Sequence, residues 1–422
     1  MTKHILKIIW AQRKSNGWIY AELLIVICAM WYMIDKFYVD LHTYYSPLGY
    51  DITNTWRFNL TNLNTKSPGY VSDSDYTSNP TADLLQLMTQ IRQNPMVENV
   101  CASYFSCPYS FGNSWSLIVP VEGDTTLSSK GFQVRRVTPE YFETFRIKDS
   151  QGNPITSKLF DGQQDECILI SKDMEKAFFH NQSAKGRKIR FVGEEKEIPI
   201  LAVTEPTRLD DYSKSEPCFY AVKTGTSLND LVNAFSAAGA ELCVRMKREM
   251  SQDEMYKLLG DMGNRLTVNN LSVYGVTPIS QFRDILLSNR KDENNQQMAL
   301  MVFLLINVFF GIVGTFWLRT QYRQGESGIR MALGANHLSL KQYLYGEGLC
   351  LLLLTLPFTL LFAVNMIYLN IPDVYRMPYT IGRFLITFGG TYLLLAIMIV
   401  LGILFPIRKI NKIEPAEALH YE

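Results

Sequence analysis

Residues 298–318 read MALMVFLLINVFFGIVGTFWL and contain no charged side chain. A second uncharged stretch, residues 384–407, reads FLITFGGTYLLLAIMIVLGILFPI. About 20 apolar residues in a helix cross the roughly 30 Å of hydrocarbon in a bilayer, and both stretches meet that length. The sequence therefore predicts two transmembrane helices in the C-terminal third of the chain.

Two further stretches have the composition of membrane spans. Residues 348–369 carry no charged residue and contain a single proline, Pro357, which a membrane helix tolerates when neighbouring helices satisfy the carbonyl that proline leaves free. Residues 18–36 are shorter and contain Glu22, but aromatic residues flank them as in an interfacial belt. A cleaved signal peptide is the alternative for this segment. No small-residue cleavage site follows it, which favours an uncleaved anchor.

The composition of the whole chain limits its class. Its 422 residues include 41 Lys and Arg against 40 Asp and Glu, and its mean hydropathy is −0.01. This balance argues against a nucleic-acid-binding protein, a disordered chain and a collagen-like repeat. An intermediate hydropathy is expected when membrane spans and a polar domain share one chain.

Basic residues beside the spans predict the orientation. Basic residues lie beside the spans in residues 1–17, 319–347 and 408–422, with Arg408, Lys409 and Lys412 directly after the last span, so the positive-inside rule places all three segments in the cytoplasm. The first is an amphipathic N-terminal segment and the last a short tail.

The remaining segments are then extracytoplasmic. Residues 37–297 hold 27 Lys and Arg against 32 Asp and Glu, as suits a translocated domain. Residues 370–383 form a short outer loop in which Arg376 and Arg383 are exceptions to the charge rule.

The large outer segment is predicted to be an α+β domain with an insertion. Residues 37–109 and 221–277 show helix-then-strand patterns, whereas residues 110–220 consist mostly of short strands. Residues 278–297 have apolar side chains at helical spacing followed by a polar run, which predicts a stalk into the membrane. The individual elements expected here are helices at 81–91 and 251–265 and strands at 97–102, 133–137, 167–170, 188–192, 198–203, 218–222, 242–246 and 271–276.

The seven cysteines give little guidance. Five of them share the outer domain: Cys101, Cys107, Cys167, Cys218 and Cys243. Buried free thiols are one interpretation. A Cys101–Cys107 disulfide is the other, because an extracytoplasmic compartment can be oxidising.

Enzymatic motifs are missing from the sequence. The five histidines form no H-E-x-x-H motif, and neither G-x-S-x-G nor the phosphate loop G-x-x-x-x-G-K-[ST] occurs. We therefore predict no catalytic residue, no metal site and no cofactor in this chain. A membrane-tethered hydrolase with a site assembled from distant residues is the enzymatic alternative.

The loop after the span at 298–318 carries the most specific local motif, RQGESGIRMALGA at residues 323–335. Ile329, Leu333 and Leu338 are expected to form an apolar ridge, and the glycines allow close backbone approach or turns. Such an element suits docking in a groove of another protein. An amphipathic helix on the inner leaflet fits the periodicity equally well.

This motif closely resembles the R-x-x-E-[IS]-G-I-R-x-A-L-G-A signature of FtsX-like and MacB-like ABC transporter permeases. Residues 409–419 (KINKIEPAEAL) resemble the closing segment of that family, and residues 137–145 (VTPEYFETF) resemble a run in the MacB-like periplasmic core. The resemblance implies that an ATPase-coupling loop contains Arg323, Glu326, Gly328, Ile329, Arg330, Ala332, Leu333, Gly334 and Ala335.

The family resemblance implies an integral membrane α-helical protein with four transmembrane helices in a 1+3 arrangement and a large extracytoplasmic α+β domain. Its expected function is that of a permease subunit of a mechanotransmission-type ABC transporter, for efflux of a drug, peptide or lipid-linked substrate. Such a protein sits in the cell's inner membrane. A membrane-anchored binding or sensory module, and an ABC-type regulator of a cell-wall enzyme, are the alternatives.

The resemblance also implies partners. A separate ABC ATPase subunit would bind ATP and Mg²⁺, and a second copy or a related permease would complete a dimer. A periplasmic or outer-membrane protein is a further candidate partner, next to the lipid bilayer itself.

Three acidic residues near the spans are candidates for helix–helix interfaces: Glu22, Asp35 and Glu347. An ionisable residue in a membrane is costly unless it is paired or reaches the interface. Glu22 and Asp35 either snorkel to the two interfaces or pair with a partner helix. Glu347 either lies at the interface near a helix N-terminus or has the role of the acidic residue common in the family.

Overall fold

The computed structural model describes residues 11, 13–110, 112–122, 131–163, 165–180, 182–322 and 337–410. The chain divides into two compact units. Residues 1–44 with 289–422 form a membrane unit, and residues 45–288 form an outer unit.

Ten α-helices lie in the described part of the chain: α1 Arg13–Tyr45, α2 Pro80–Arg92, α3 Tyr141–Thr144, α4 Lys172–Phe179, α5 Gly225–Phe235, α6 Gln252–Met262, α7 Ile279–Tyr322, α8 His337–Leu354, α9 Leu356–Tyr368 and α10 Ile381–Ile410. The eleven strands of this part are β1 Thr55–Asn62, β2 Val97–Tyr104, β3 Trp115–Pro120, β4 Gly131–Val137, β5 Cys167–Ser171, β6 Lys188–Phe191, β7 Ile198–Thr204, β8 Cys218–Val222, β9 Glu241–Met246, β10 Thr267–Val268 and β11 Leu271–Pro278.

Among the described residues, four helical stretches are long and apolar enough to cross a bilayer. They are Gly17–Tyr45, Ile279–Gly314, Leu344–Tyr368 and Ile381–Leu404. The first continues well beyond residue 36, where the sequence-based boundary lies. The second starts before residue 298, because the expected stalk at 278–297 and the span form one uninterrupted helix, α7.

The segment at 319–347, expected to be a loop, is helical at both ends. α7 continues to Tyr322 and α8 begins at His337, since no proline interrupts residues 337–354. The third span is divided where the sequence places Pro357. α8 ends at Leu354 and α9 begins at Leu356, with the proline in its first turn.

One apolar cluster holds the four spans together. Buried side chains from α1, α7, α8 and α10 meet in it: Ile19, Leu23, Val26, Ile27, Met30, Val308, Ile312, Leu344, Leu351, Leu352, Leu395, Ile399 and Ile403. Close helix contact is achieved at Gly402 of α10. A Cβ atom there would lie 2.9 Å from Cγ2 of Ile312, so only glycine permits this approach.

The outer unit contains an eleven-stranded sheet in the order β10-β11-β1-β9-β2-β4-β3-β6-β7-β5-β8. β8 also pairs in parallel with β4. The six strands from β3 to β8 therefore form a closed circuit of pairings, all within residues 115–222. The other five strands form an open sheet.

Each half of this sheet has its own core. α2, α5 and α6 contribute side chains such as Leu84, Val232 and Met255 to the core of the open half. α4 contributes Met174 and Phe178 to the core of the closed half. The apolar sides of these helices are thus covered by strands, as an α+β fold requires.

Candidate functional site

Nine residues are expected to couple to an ATPase. Arg323, Glu326, Gly328, Ile329, Arg330, Ala332, Leu333, Gly334 and Ala335 all lie outside the described residues. The candidate site in the described part of the chain is therefore built from the ionisable side chains of the membrane unit.

Asp35 of α1 forms a buried ion pair with Arg383 of α10. Arg383 donates from Nε to Oδ1 of Asp35 at 2.9 Å and from Nη2 to Oδ2 at 2.5 Å. Both residues are 1% exposed. A two-point contact of this kind fixes the orientation of both groups as well as their distance. Asp35 thus pairs with a basic residue of its own chain.

The rest of the Arg383 guanidinium is also occupied. Its Nη1 donates to the backbone carbonyls of Asp373 and Met377 at 2.9 and 2.7 Å. Its plane lies over the ring of Tyr379, 4.5 Å from the centroid. Arg383 therefore contacts both α1 and the loop that precedes α10, and it holds the two together.

A second ion pair joins α1 to the outer loop itself. Arg376 of this loop donates to Asp40 of α1 and to Asp373, each at 2.5 Å. Burial raises the pKa of Asp373, but the hydrogen bonds and charge of Arg376 outweigh it, so the pKa lies below the usual value. Arg376 and Arg383, the exceptions to the charge rule, are therefore neutralised by α1 acids within the unit.

Glu22 faces a different helix. Its carboxylate lies against Gly311 of α7, where a Cβ atom would be only 2.6 Å from Oε1. The glycine thus provides the space that the acidic side chain occupies between α1 and α7.

Glu347 lies inside α8, eleven positions into the helix, and is completely buried. Because α8 starts at His337, Glu347 does not lie near the N-terminus of its helix.

Polar side chains satisfy the backbone around the break between α8 and α9. The hydroxyl of Thr355 donates to the carbonyl of Leu352 at 2.6 Å, and Tyr20 of α1 donates to that of Leu354 at 3.3 Å. Tyr392 of α10 contacts the hydroxyls of Thr355 and Thr359. Neighbouring helices therefore support the backbone next to Pro357.

The five outer-domain cysteines are all buried free thiols, so Cys101 and Cys107 do not form a disulfide. Cys107 lies beside Cys243, with their sulfur atoms 3.6 Å apart, and Cys101 is opposite Cys243 in the β2–β9 pairing. Within the described residues, no group of three or more His, Cys, Asp or Glu side chains is arranged to hold a metal ion.

Sequence reasoning selected Asp35 but missed the residues that complete its network. Asp40, Asp373, Arg376 and Arg383 were identifiable only as charges close to membrane spans. Their pairing joins positions more than 330 residues apart, as for Asp40 with Arg376, and no spacing rule connects such positions.

Comparison with known protein families identifies a match in the C-terminal part of the chain. Residues 298–415 match the family model described as FtsX-like permease C-terminal. No curated protein matches the chain.

Three solved structures are similar to part of this chain. The periplasmic region of MacB from Actinobacillus actinomycetemcomitans has 15% identity and a TM-score of 0.34, covering 56% of this chain and 94% of that one. The extracellular domain of the ABC-type transporter YknZ from Gram-positive bacteria has 18% identity and a TM-score of 0.29, covering 53% and 100%. A permease domain from Porphyromonas gingivalis has 15% identity and a TM-score of 0.34, covering 55% and 92%.

The family match spans the second half of α7, the two segments of the third span and α10, together with the predicted coupling motif. This region is the one in which the sequence resemblance was most specific. Residues 298–415 are therefore similar to the C-terminal region of FtsX-like permeases, and the family match together with four apolar helices supports a membrane protein of the ABC-permease type.

Proposed function

We propose that this permease transmits mechanical force from a cytoplasmic ABC ATPase to its own outer domain. ATP binding and hydrolysis on the separate ATPase would displace residues 323–335, and the helices joined to that segment would carry the displacement outward. The observation that carries the proposal is the FtsX-like match over 298–415, which includes this segment.

The charge network supports a mechanical function. The Asp35–Arg383 and Asp40–Arg376 pairs join the outer end of α1 to the loop and start of α10. Two buried ion pairs with fixed geometry resist sliding between these elements, because separation would leave unpaired charges in a low-dielectric environment. In our proposal, α1 and α10 therefore move together at their outer ends.

We also propose that the active unit is a dimer that contacts through α7. Met298, Phe303, Ile306 and Phe310 are exposed in the single chain, and the amide of Asn307 lies exposed on the same helix. Asn307 hydrogen-bonds within its helix to the carbonyl of Phe303 at 2.8 Å. An amide within an apolar span favours contact with another helix over contact with lipid.

The proposed cargo is a drug, peptide or lipid-linked molecule that is expelled from the outer compartment, with the protein in the inner membrane. The described residues contain no feature that selects among these classes, so the first test addresses the ATPase and not the cargo.

The decisive experiment is purification of the tagged chain from its native membrane in mild detergent, with identification of co-purifying proteins by mass spectrometry. We expect a soluble P-loop ATPase. Replacement of residues 326–335 by a Gly/Ser linker should abolish its recovery, while an equivalent replacement of residues 123–130 in the outer region should not. Recovery of no ATPase from conditions that retain a known ABC complex would refute the proposal and favour an anchored binding module.

A second experiment tests coupling within an assembled complex. Gly328→Trp or Gly334→Trp should remove stimulation of the ATPase by the permease, while the outer domain remains folded by circular dichroism. Gly389→Trp on α10 is the control, because a Cβ atom at that position would have no neighbour within 4 Å among the described residues. Normal stimulation in the first two variants would contradict the assignment of the coupling loop.

A further inference from the structure

Arg135 of β4 is a buried cation without a carboxylate partner in the described part of the chain. Only 5% of the surface of Arg135 is exposed to solvent. Its two terminal nitrogens lie 3.5 Å from the hydroxyl of Tyr220 and from the carbonyl of Arg208, at the outer limit for hydrogen bonds. A guanidinium has five N–H donors, so these contacts leave it under-satisfied.

The two tyrosine rings beside Arg135 do not neutralise its charge. The rings of Tyr50 and Tyr220 lie 5.7 and 5.4 Å from the guanidinium carbon. Burial raises the pKa of both phenols to about 12, so both are uncharged at neutral pH. The nearby buried carboxylate of Asp211 is taken by Arg283 and by the hydroxyl of Tyr109. A buried charge without compensation is costly.

Arg135 lines a cavity in the outer unit of about 120 Å³. Gln133, two residues earlier on β4, lies on the same side of the strand and also lines it. Gln133 donates to Oδ1 of Asn113 at 3.2 Å, which leaves the amide nitrogen of Asn113 as a donor at the cavity. Asp210 is a carboxylate in the lining, and its Oδ1 accepts from the backbone N–H of Tyr212 at 2.8 Å.

We propose that this cavity binds a small oxyanion, a carboxylate or a phosphate group, with Arg135 as the charged ligand and Asn113 as a neutral donor. The planar guanidinium matches two oxygens of either group. The cavity of about 120 Å³ has room for one such group. This inference does not depend on the proposed transport function.

The test is calorimetric titration of the full-length chain in detergent with sodium phosphate and, separately, sodium acetate, against sodium chloride at equal ionic strength. We expect saturable binding of phosphate or acetate and none of chloride. Preference for one of the first two salts identifies the phosphate-bearing or the carboxylate-bearing class of ligand.

The key variant is Gln133→Glu, which leaves Arg135 in place and supplies an internal carboxylate on the same side of β4. We expect the affinity for the oxyanion to fall at least about tenfold, with no loss of thermal stability. Gln86→Glu, at an exposed position of α2, is the control for the added charge and should bind as the native chain does.

Three results would overturn the proposal. The first is no saturable binding of phosphate or acetate to the native chain at about 10 mM, a concentration that detects even weak sites. The second is equal affinity in the native chain and Gln133→Glu, which would place the bound ion elsewhere. The third is an equal loss of affinity in Gln86→Glu, which would indicate a general effect of charge.

Discussion

Asp35 and Arg383 show how single residues can decide whether the membrane unit holds together. Each is buried, and each satisfies the other with two hydrogen bonds. Removal of one partner leaves an unpaired charge in the protein interior, which costs about 3–5 kcal/mol. We therefore expect Asp35→Asn and Arg383→Gln each to lower the thermal unfolding midpoint strongly, as measured by fluorescence-detected size exclusion in detergent.

A control variant distinguishes the loss of a buried ion pair from the loss of a charge as such. Lys188→Gln breaks an ion pair of the outer unit whose side chains are 54% and 43% exposed, and such a pair contributes less than about 1 kcal/mol. The double variant Asp35→Leu with Arg383→Leu should be more stable than either single variant, because no charge is left unpaired. Additive losses in the double variant would show that the two residues act independently.

Arg245 and Asp51 make the outer unit sensitive to acid. Arg245 is completely buried on β9 and donates to the backbone carbonyls of Thr53 and Thr144 at 2.8 and 2.5 Å. Burial of Asp51 raises its pKa, but hydrogen bonds from Thr53 and the charges of Arg245 and Arg146 outweigh this, so its pKa falls below the usual 3.8. The stabilising effect of Asp51 is thus complete above pH 3.8 and is lost as the pH falls through the lowered value.

We accordingly predict that Asp51→Asn flattens the acid limb of the stability curve. Denaturant midpoints of the full chain should be measured between about pH 5 and about pH 2, where carboxylates of this kind titrate. Asp261→Asn, at an exposed position of α6, should keep the slope of the native chain. If Asp51→Asn and the native chain lose stability in parallel, another group controls the acid limb.

At the scale of elements, the packing of α10 on α7 depends on Gly402. Any side chain at this position would overlap the branched side chain of Ile312, since a Cβ atom would be 2.9 Å from its Cγ2. Gly402→Leu should therefore separate the two helices and cost about 1–3 kcal/mol, as overpacked cores do. Thermal unfolding in detergent measures the loss.

The same helix offers a matched control. Gly390→Leu lies on α10 at a position where a Cβ atom would have no neighbour within 4 Å in the described ranges, so it should be tolerated. Equal destabilisation by the two substitutions would indicate an effect of leucine on the helix itself and not on the contact with α7.

Helices and strands were predicted well where a regular spacing of apolar residues marks them within a few residues. Strand β2 and helix α2 were expected near their observed positions because their apolar spacing is regular. β1 was missed although Trp56, Phe58 and Leu60 alternate, since Asn and Thr residues around them suggest a loop. β1 gains its stability from β9 and β11, which lie about 200 residues later in the chain. Such pairing is not encoded locally.

The candidate site was predictable to the same limited degree. The cost of a carboxylate in a membrane span marks Asp35 from sequence alone. The partner of Asp35 is set by how α1 and α10 pack, and a basic residue in a short outer loop gives no indication of which acid it meets. The distance of Glu347 from the start of its helix was not predictable in the same way. Residues 337–346 were expected to lie in a loop, and they are helical.

At the scale of the whole molecule, the continuity of α7 is the feature on which force transmission would depend. The helix has 44 residues and follows β11 directly, so it extends about 66 Å at 1.5 Å per residue. It includes the last residues of the outer unit and an entire membrane span. A helix transmits displacement along its length only while its backbone hydrogen bonds remain intact.

We predict that local softening of α7 uncouples the outer unit without affecting the ATPase. Asp292, Asn295 and Gln296 are exposed on this helix, so their replacement leaves the packing intact. Three glycines weaken the helix by about 3 kcal/mol relative to three alanines, at about 1 kcal/mol each. In the complex with its ATPase, the alanine variant should retain an ATP-dependent change in hydrogen exchange of the outer sheet, and the glycine variant should lose it. Both variants should stimulate the ATPase normally, because residues 323–335 are unchanged. An undiminished ATP-dependent change in the glycine variant would mean that motion reaches the outer unit by a route other than α7, and α1 would then be the element to soften next.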